Sequence, residues 1–175
     1  MMIEKGRLAA RIEGDFVVFL IGARINRFRD LRAWLPVVRA MPKMLAELDR
    51  NPELGLLYSW SAMRGLREAV LVQYWRSYEH LHAYARARES EHLPAWSEYN
   101  RAIKGNDSVG IWHETFLVQA GQYEAIYGNM PRYGLAHAGE LVDARGAFTS
   151  SLGRLGRSAG EDQPLDEDGR PREVA

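Results

Sequence analysis

The sequence predicts an α+β fold in which two helices cover one face of an antiparallel sheet. Three observations carry this. Between residues 16 and 118 the apolar segments follow the order strand, helix, strand, strand, helix, strand. The first and third of these strands, at 16–25 and 69–75, are apolar at both odd and even positions, so both of their faces need cover. The intervening segments repeat apolar residues at helical spacing. This β-α-β-β-α-β order is the ferredoxin-like split unit, with both helices on one face. The other face needs a partner, and the sheet of a second subunit is the simplest one. A homodimer with the dimeric α/β barrel architecture is therefore expected.

The elements follow in order. Residues 8–12 read as a short strand turned at Glu13-Gly14-Asp15, and residues 16–25 as a strong strand. Asp30 is placed to cap the next helix. Its inward stripe reads as Leu31, Trp34, Leu35, Val38, Met41, Leu45 and Leu48. Pro36 fits only a first turn, Pro42 is expected to kink or restart the helix, and Asn51-Pro52 stops it. Residues 54–62 and 69–75 read as strands around an Arg64-Gly65 turn. Ser77 opens a helix with Tyr78, Leu81 and Ala85 inward. Pro94 interrupts that helix, and a second piece runs to residue 103. Residues 109–118 read as a strand, 119–122 as a turn and 123–127 as a short extra strand. The folded domain is expected over residues 7–140. Residues 141–175 read as an irregular extension, disordered after about residue 156, because few of its side chains have surface to bury.

Composition excludes several functions. Lys plus Arg and Asp plus Glu number 23 each, so the net charge is zero and there is no electrostatic footprint for nucleic acid or an anionic membrane. With no cysteine, disulfides, thiolate metal sites and a cysteine nucleophile are ruled out. The longest apolar run, at 16–23, is far short of the roughly 20 residues of a membrane helix. No signal-type apolar segment opens the chain, and the expected compartment is the cytoplasm. There is no Gly-rich phosphate loop, dinucleotide fingerprint, His-Glu-x-x-His or Gly-x-Ser-x-Gly.

Histidines and aromatic residues remain. His92, Trp96, Tyr99 and Ile103 recur at helical spacing, so His92 heads an apolar face beside a helix break. It reads either as a core histidine bonded to a backbone carbonyl or as a group facing a cavity. His80 and His82 fall on a solvated helix face. His113 and Glu114 are adjacent in a strand and must point to opposite faces, so they cannot pair within one monomer. Either they satisfy interface or backbone groups, or one of them lines a pocket under the helices. Arg24 and Asn26 end the first strand, with Gly22 leaving space beside Arg24. They read as an edge ion pair and a turn former, or as hydrogen-bond donors at a pocket mouth. Five tryptophans, at 34, 60, 75, 96 and 112, read mostly as core and together favour an aromatic-lined cavity for a flat apolar ligand.

With these segments in place, the chain resembles the monooxygenase-like proteins of bacteria and fungi allied to the antibiotic-biosynthesis monooxygenases. The residues that carry the resemblance are FVVFLIGARIN at 16–26, WLP at 34–36, AMPKM at 40–44, YWRS at 74–77, EHLPAW at 91–96, VGIWHET at 109–115 and YEAIYGNMP at 123–131. It covers residues 7–140. The resemblance implies a small-molecule oxygenase acting on an electron-rich aromatic or enolic substrate with O2, without a cofactor of its own. In that role His92 would be the base, Asn26 and Arg24 the oxyanion donors, and Trp75, Tyr84, Trp96 and His113 the substrate contacts. Other relatives bind haem, with a helical histidine as axial ligand and an asparagine at the end of the first strand. His92 and Asn26 stand in comparable places, but Tyr84 stands where the haem-degrading relatives carry tryptophan. A haem protein of the same fold and a non-catalytic ligand-binding protein are the alternatives.

Overall fold

The chain runs β1 (Glu4–Arg11), β2 (Phe16–Ile25), α1 (Leu31–Arg50), β3 (Leu56–Arg64), β4 (Glu68–Trp75), α2 (Tyr78–Arg86), β5 (Val109–Val118), β6 (Ile126–Met130) and β7 (Glu140–Asp143), with single-turn helices at Leu135–Ala138 and Ser151–Arg154. These elements come from a computed structural model that describes residues 2–87, 97, 99–100 and 106–159. Two units separate: residues 16–117, and residues 1–15 together with 118–175.

In the first unit the strands lie in the order β3-β4-β2-β5. This is the ferredoxin-like order that the sequence predicts. β4 pairs antiparallel with β2 from Val17 opposite Trp75 to Arg24 opposite Glu68, and β3 pairs with β4 out to Arg64 opposite Glu68. Backbone N–H groups of Asn26 and Arg27 donate to Ser108 just before β5, which brings the end of β2 to the start of β5. Alternation then sorts the side chains. Val17, Phe19 and Ile21 face α1 and α2, whereas Val18, Leu20, Gly22 and Arg24 take the opposite face. The core gathers Val17, Leu48, Trp75, Leu81 and Tyr84, with Phe19, Leu54 and Leu56 packed against it.

Helix α1 differs from its sequence reading in three ways. It is continuous through both Pro36 and Pro42. Each proline removes one N–H and frees one carbonyl, of Arg32 and Val38; both residues are exposed, so water can satisfy those carbonyls. The inward stripe is Val37, Ala40, Met41, Met44 and Leu48, while Leu31 and Val38 are exposed. The stripe is rotated because small and flexible side chains, alanine and methionine, lie on the packed side. Asp30 precedes the helix but makes no side-chain cap. Its carboxylate instead accepts from Asn106 Nδ2 at 2.9 Å and Ser108 Oγ at 2.7 Å, tying the start of α1 to the start of β5. These hydrogen bonds hold its pKa below the ordinary carboxylate range.

Ser77 does cap α2, its Oγ accepting from the His80 backbone. His80 is half-buried rather than solvated. Its Nδ1 lies 2.9 Å from Ser77 Oγ, and its ring covers Gly55, where φ is +94° and a Cβ would meet the imidazole at 2.6 Å.

In the second unit the strand order is β6-β1-β7, all antiparallel. The strand expected at 123–127 lies instead at Ile126–Met130, because the Tyr123 hydroxyl fixes the chain before it. That hydroxyl accepts from Ile12 N–H at 2.6 Å and donates to Ile12 O at 2.9 Å. The extension expected to be irregular from residue 141 holds most of β7 and a single-turn helix. The helix is pinned by Arg154, whose Nε donates to Glu124 at 2.6 Å and whose Nη1 reaches the carbonyls of Phe148 and Thr149. Residues 160–175 lie outside the described residues.

Candidate functional site

Between the sheet and the two helices of the first unit is a cavity of about 260 Å³. Its floor is β2 and β4 through Phe19, Ile21, Gln73 and Trp75. α1 supplies Val37, Ala40, Met41, Met44 and Leu48, and α2 supplies Tyr78, Leu81, His82, Tyr84 and Ala85. β5 adds Ile111, His113 and Thr115, and Tyr99 completes the wall. An apolar cavity with a few polar groups suits a small apolar molecule.

The aromatic side chains are fixed by one another and by hydrogen bonds. Trp75 is 1% exposed and its ring lies 5.8 Å from that of Tyr84. The Tyr84 hydroxyl donates to Glu47 Oε2 at 2.8 Å. The Trp75 indole N–H donates to Gln73 Oε1 at 2.9 Å. Two imidazoles border the cavity, both on exposed residues. His113 lies 5.5 Å from the Phe19 ring, and His82 stacks on Tyr78 at 5.7 Å.

The sequence-predicted residues divide into three groups. Trp75, Tyr84 and His113 come together at this cavity. His113 therefore lies on the helix-covered face, and Glu114 on the opposite one. Arg24 and Asn26 are not part of the lining. Arg24 pairs with Glu68 at 3.2 Å on the face away from the helices, and Asn26 Nδ2 donates to Asp107 O at 2.8 Å, bracing the turn into β5. The space beside Gly22 is taken by Trp112, whose indole a Cβ at Gly22 would strike. His92 and Trp96 lie outside the described residues.

Among the lining residues that the sequence reading missed, His82 and Gln73 matter most for polarity. His82 was assigned to a solvated helix face, and although exposed it reaches the cavity edge. Gln73 is 6% exposed on the strand between β2 and β3. The signal for it was present, since it is the lone polar residue in the run AVLVQYW at 69–75. Among the described residues no group of three or more histidine, aspartate or glutamate side chains could share a metal ion. No helix among them is long and apolar enough to cross a membrane.

The fold and cavity define a ferredoxin-like α+β protein with an apolar pocket under its helices. A solved structure of the aldoxime dehydratase OxdRE in complex with butyraldoxime is similar with a TM-score of 0.61 at 17% identity, over 71% of this chain and 37% of that one. That likeness concerns the fold. The model of the monooxygenase af470-like family matches residues 16–135, and the chain belongs to that family. Monooxygenase af470 of Aspergillus fumigatus is 32% identical in an alignment of 126 positions that covers 67% of this chain. This chain spans only 44% of that curated relative. SnoaB, a cofactor-independent oxygenase from Streptomyces nogalater, aligns with a TM-score of 0.42 at 13% identity, over 58% of this chain and 91% of SnoaB.

Proposed function

We propose that the protein is a monooxygenase that oxidises a flat, electron-rich aromatic or enolic molecule in the cavity between the helices and the sheet, without a bound cofactor. The observation that carries this reading is the cavity itself: an aromatic-walled apolar space bordered by imidazoles, in a chain of a monooxygenase-like family. The chemistry asks little more of the protein. A base removes a proton from the phenol or enol, and the resulting carbanion reduces O2 directly. At a methylene carbon two hydrogens leave and one oxygen atom enters. The other oxygen departs as water, and all four electrons come from the substrate.

A neutral imidazole suits the proton transfer near pH 7. His92 is the proposed base, and His113 at the cavity edge is the substrate contact that orients the acid proton. Trp75 and Tyr84 are the walls that exclude water, which strengthens every polar interaction inside, and Trp96 is the further substrate contact proposed. Arg24 and Asn26 are assigned to framing β2 and the turn into β5, in keeping with their partners.

A second copy of the chain is the proposed protein partner. Trp112 and Phe116, which alternation places on the sheet face away from α1 and α2, are 37% and 48% exposed, and self-association would bury them. A monomer in light scattering at micromolar concentration would contradict this.

Oxygen uptake with anthrones, naphthols and 1,3-diketones tests the activity, with His92→Ala and His113→Ala beside the unaltered protein. Uptake lost in His92→Ala and weakened in His113→Ala is expected. A Soret band in the purified protein would replace the cofactor-free reading with a haem protein. Binding without oxygen uptake would leave a ligand carrier.

A further inference from the structure

The cavity holds one polar group that the fold uses only by half. Gln73 is 6% exposed, sits on a strand flanked on both sides, and lines the cavity among apolar and aromatic residues. The indole N–H of Trp75 is a donor and nothing else, so the group 2.9 Å from it must be the carboxamide oxygen. That contact fixes which way the amide faces. The Gln73 NH2 therefore points away from Trp75, and among the described residues nothing accepts from it. That NH2 is open to the cavity, so a ligand there can accept from it in place of water.

The other polar groups of the lining differ. The Tyr84 hydroxyl already donates to Glu47, Tyr99 has a partner of its own, and Tyr78, His82, His113 and Thr115 belong to exposed residues. Gln73 thus offers the cavity a donor that no described residue takes up, on a residue only 6% exposed, while the imidazoles stand where the cavity meets solvent.

From this we infer that Gln73 anchors the substrate, and that the substrate class is an apolar ring system carrying an acceptor oxygen at the end that enters first. That oxygen is a carbonyl, or the phenolate or enolate oxygen left after deprotonation. Gln73 Nε2 donates to it, and Trp75 holds the carboxamide in the donating orientation. The inference rests on the cavity being the substrate site and adds the polarity of what enters it. Burial makes the donor selective: a ligand without the acceptor oxygen leaves it unpaired.

The test is equilibrium dialysis of the full chain against 1-tetralone and tetralin, a ketone and the hydrocarbon of the same ring system. The unaltered protein should bind the ketone more tightly. Gln73→Met keeps the length of the side chain but removes both the donor and the acceptor of the Trp75 indole, and it should weaken 1-tetralone about fivefold more than tetralin. If Gln73 served only to hold Trp75, both ligands would weaken together, and that result overturns the proposal. The infrared carbonyl stretch of 1-tetralone bound to the unaltered protein needs no variant. A band shifted down from its position in hexane supports donation to the carbonyl, and a band at the hexane position refutes it. Two ligands bound equally would remove the role of Gln73 and leave the cavity as the site. Failure of both to bind would overturn this assignment together with the cavity reading.

Discussion

Leu48→Ala is a direct probe of how the cavity is built. Leu48 is 2% exposed, belongs to the core cluster with Val17, Trp75, Leu81 and Tyr84, and borders the cavity. Truncation removes three carbons, worth about 2 kcal/mol in transfer free energy at ~0.8 kcal/mol per methylene. An added void left in a packed core contributes about 24 cal/mol per Å³. Because one side of Leu48 already faces empty space, fewer contacts are lost there, and the total should fall near the lower end of Leu→Ala losses, about 3 kcal/mol. Val38→Ala is the control. It lies on the same helix and is equally apolar, but it is 47% exposed, so its cost should stay within about 0.5 kcal/mol. Urea unfolding of the full chain, with unchanged slopes, measures both. Equal losses at the two positions would refute the placement of α1 on the sheet, because the sequence stripe alone counts both residues as core.

Other positions give independent tests. Gly22→Ala puts a methyl group into the Trp112 indole, and it should cost about 1–3 kcal/mol and change the near-ultraviolet circular dichroism. Asp30 has a lowered pKa in the folded state, so its contribution is present above the ordinary carboxylate value and is lost as pH falls through the folded value. Acid unfolding of Asp30→Asn, followed from pH 6 downward, should show a shallower loss below about pH 4 than the unaltered protein. Arg154 keeps only 6% of its side chain exposed, and Glu124→Gln leaves that cation with neutral acceptors alone. A destabilisation of about 2 kcal/mol is expected, short of a fully buried pair because Glu124 is 34% exposed, and an unchanged urea midpoint would show that neutral acceptors suffice.

Strand order and helix placement were legible because β2 and β4 are apolar on both faces and the segments between them follow helical spacing. The finer details were not. The rotation of α1 turns on Ala40 and Met44, which pattern reading discounts beside Leu31 and Val38. The assembly of β6-β1-β7 joins residues more than a hundred positions apart, and no local periodicity encodes such pairing. At the site, alternation around His113 left two faces open, and contact with Phe19 and the cavity settles which one it takes. Arg24 and Asn26 were read either as an edge ion pair and a turn former or as donors at a pocket mouth, and their partners, Glu68 and Asp107, are ones that no spacing rule identifies. Gln73 was passed over because a single amide hardly alters the hydropathy of its strand.

The central claim is that this cavity holds a substrate that O2 oxidises. Turnover under ¹⁸O2 measures it, using the same anthrones, naphthols and 1,3-diketones with the unaltered protein and with Ala40→Phe, which fills the cavity from α1. Product carrying one labelled oxygen, formed faster than without protein and suppressed in Ala40→Phe, is the expected result. No labelled product above the protein-free rate, or the same rate in both proteins, would contradict it.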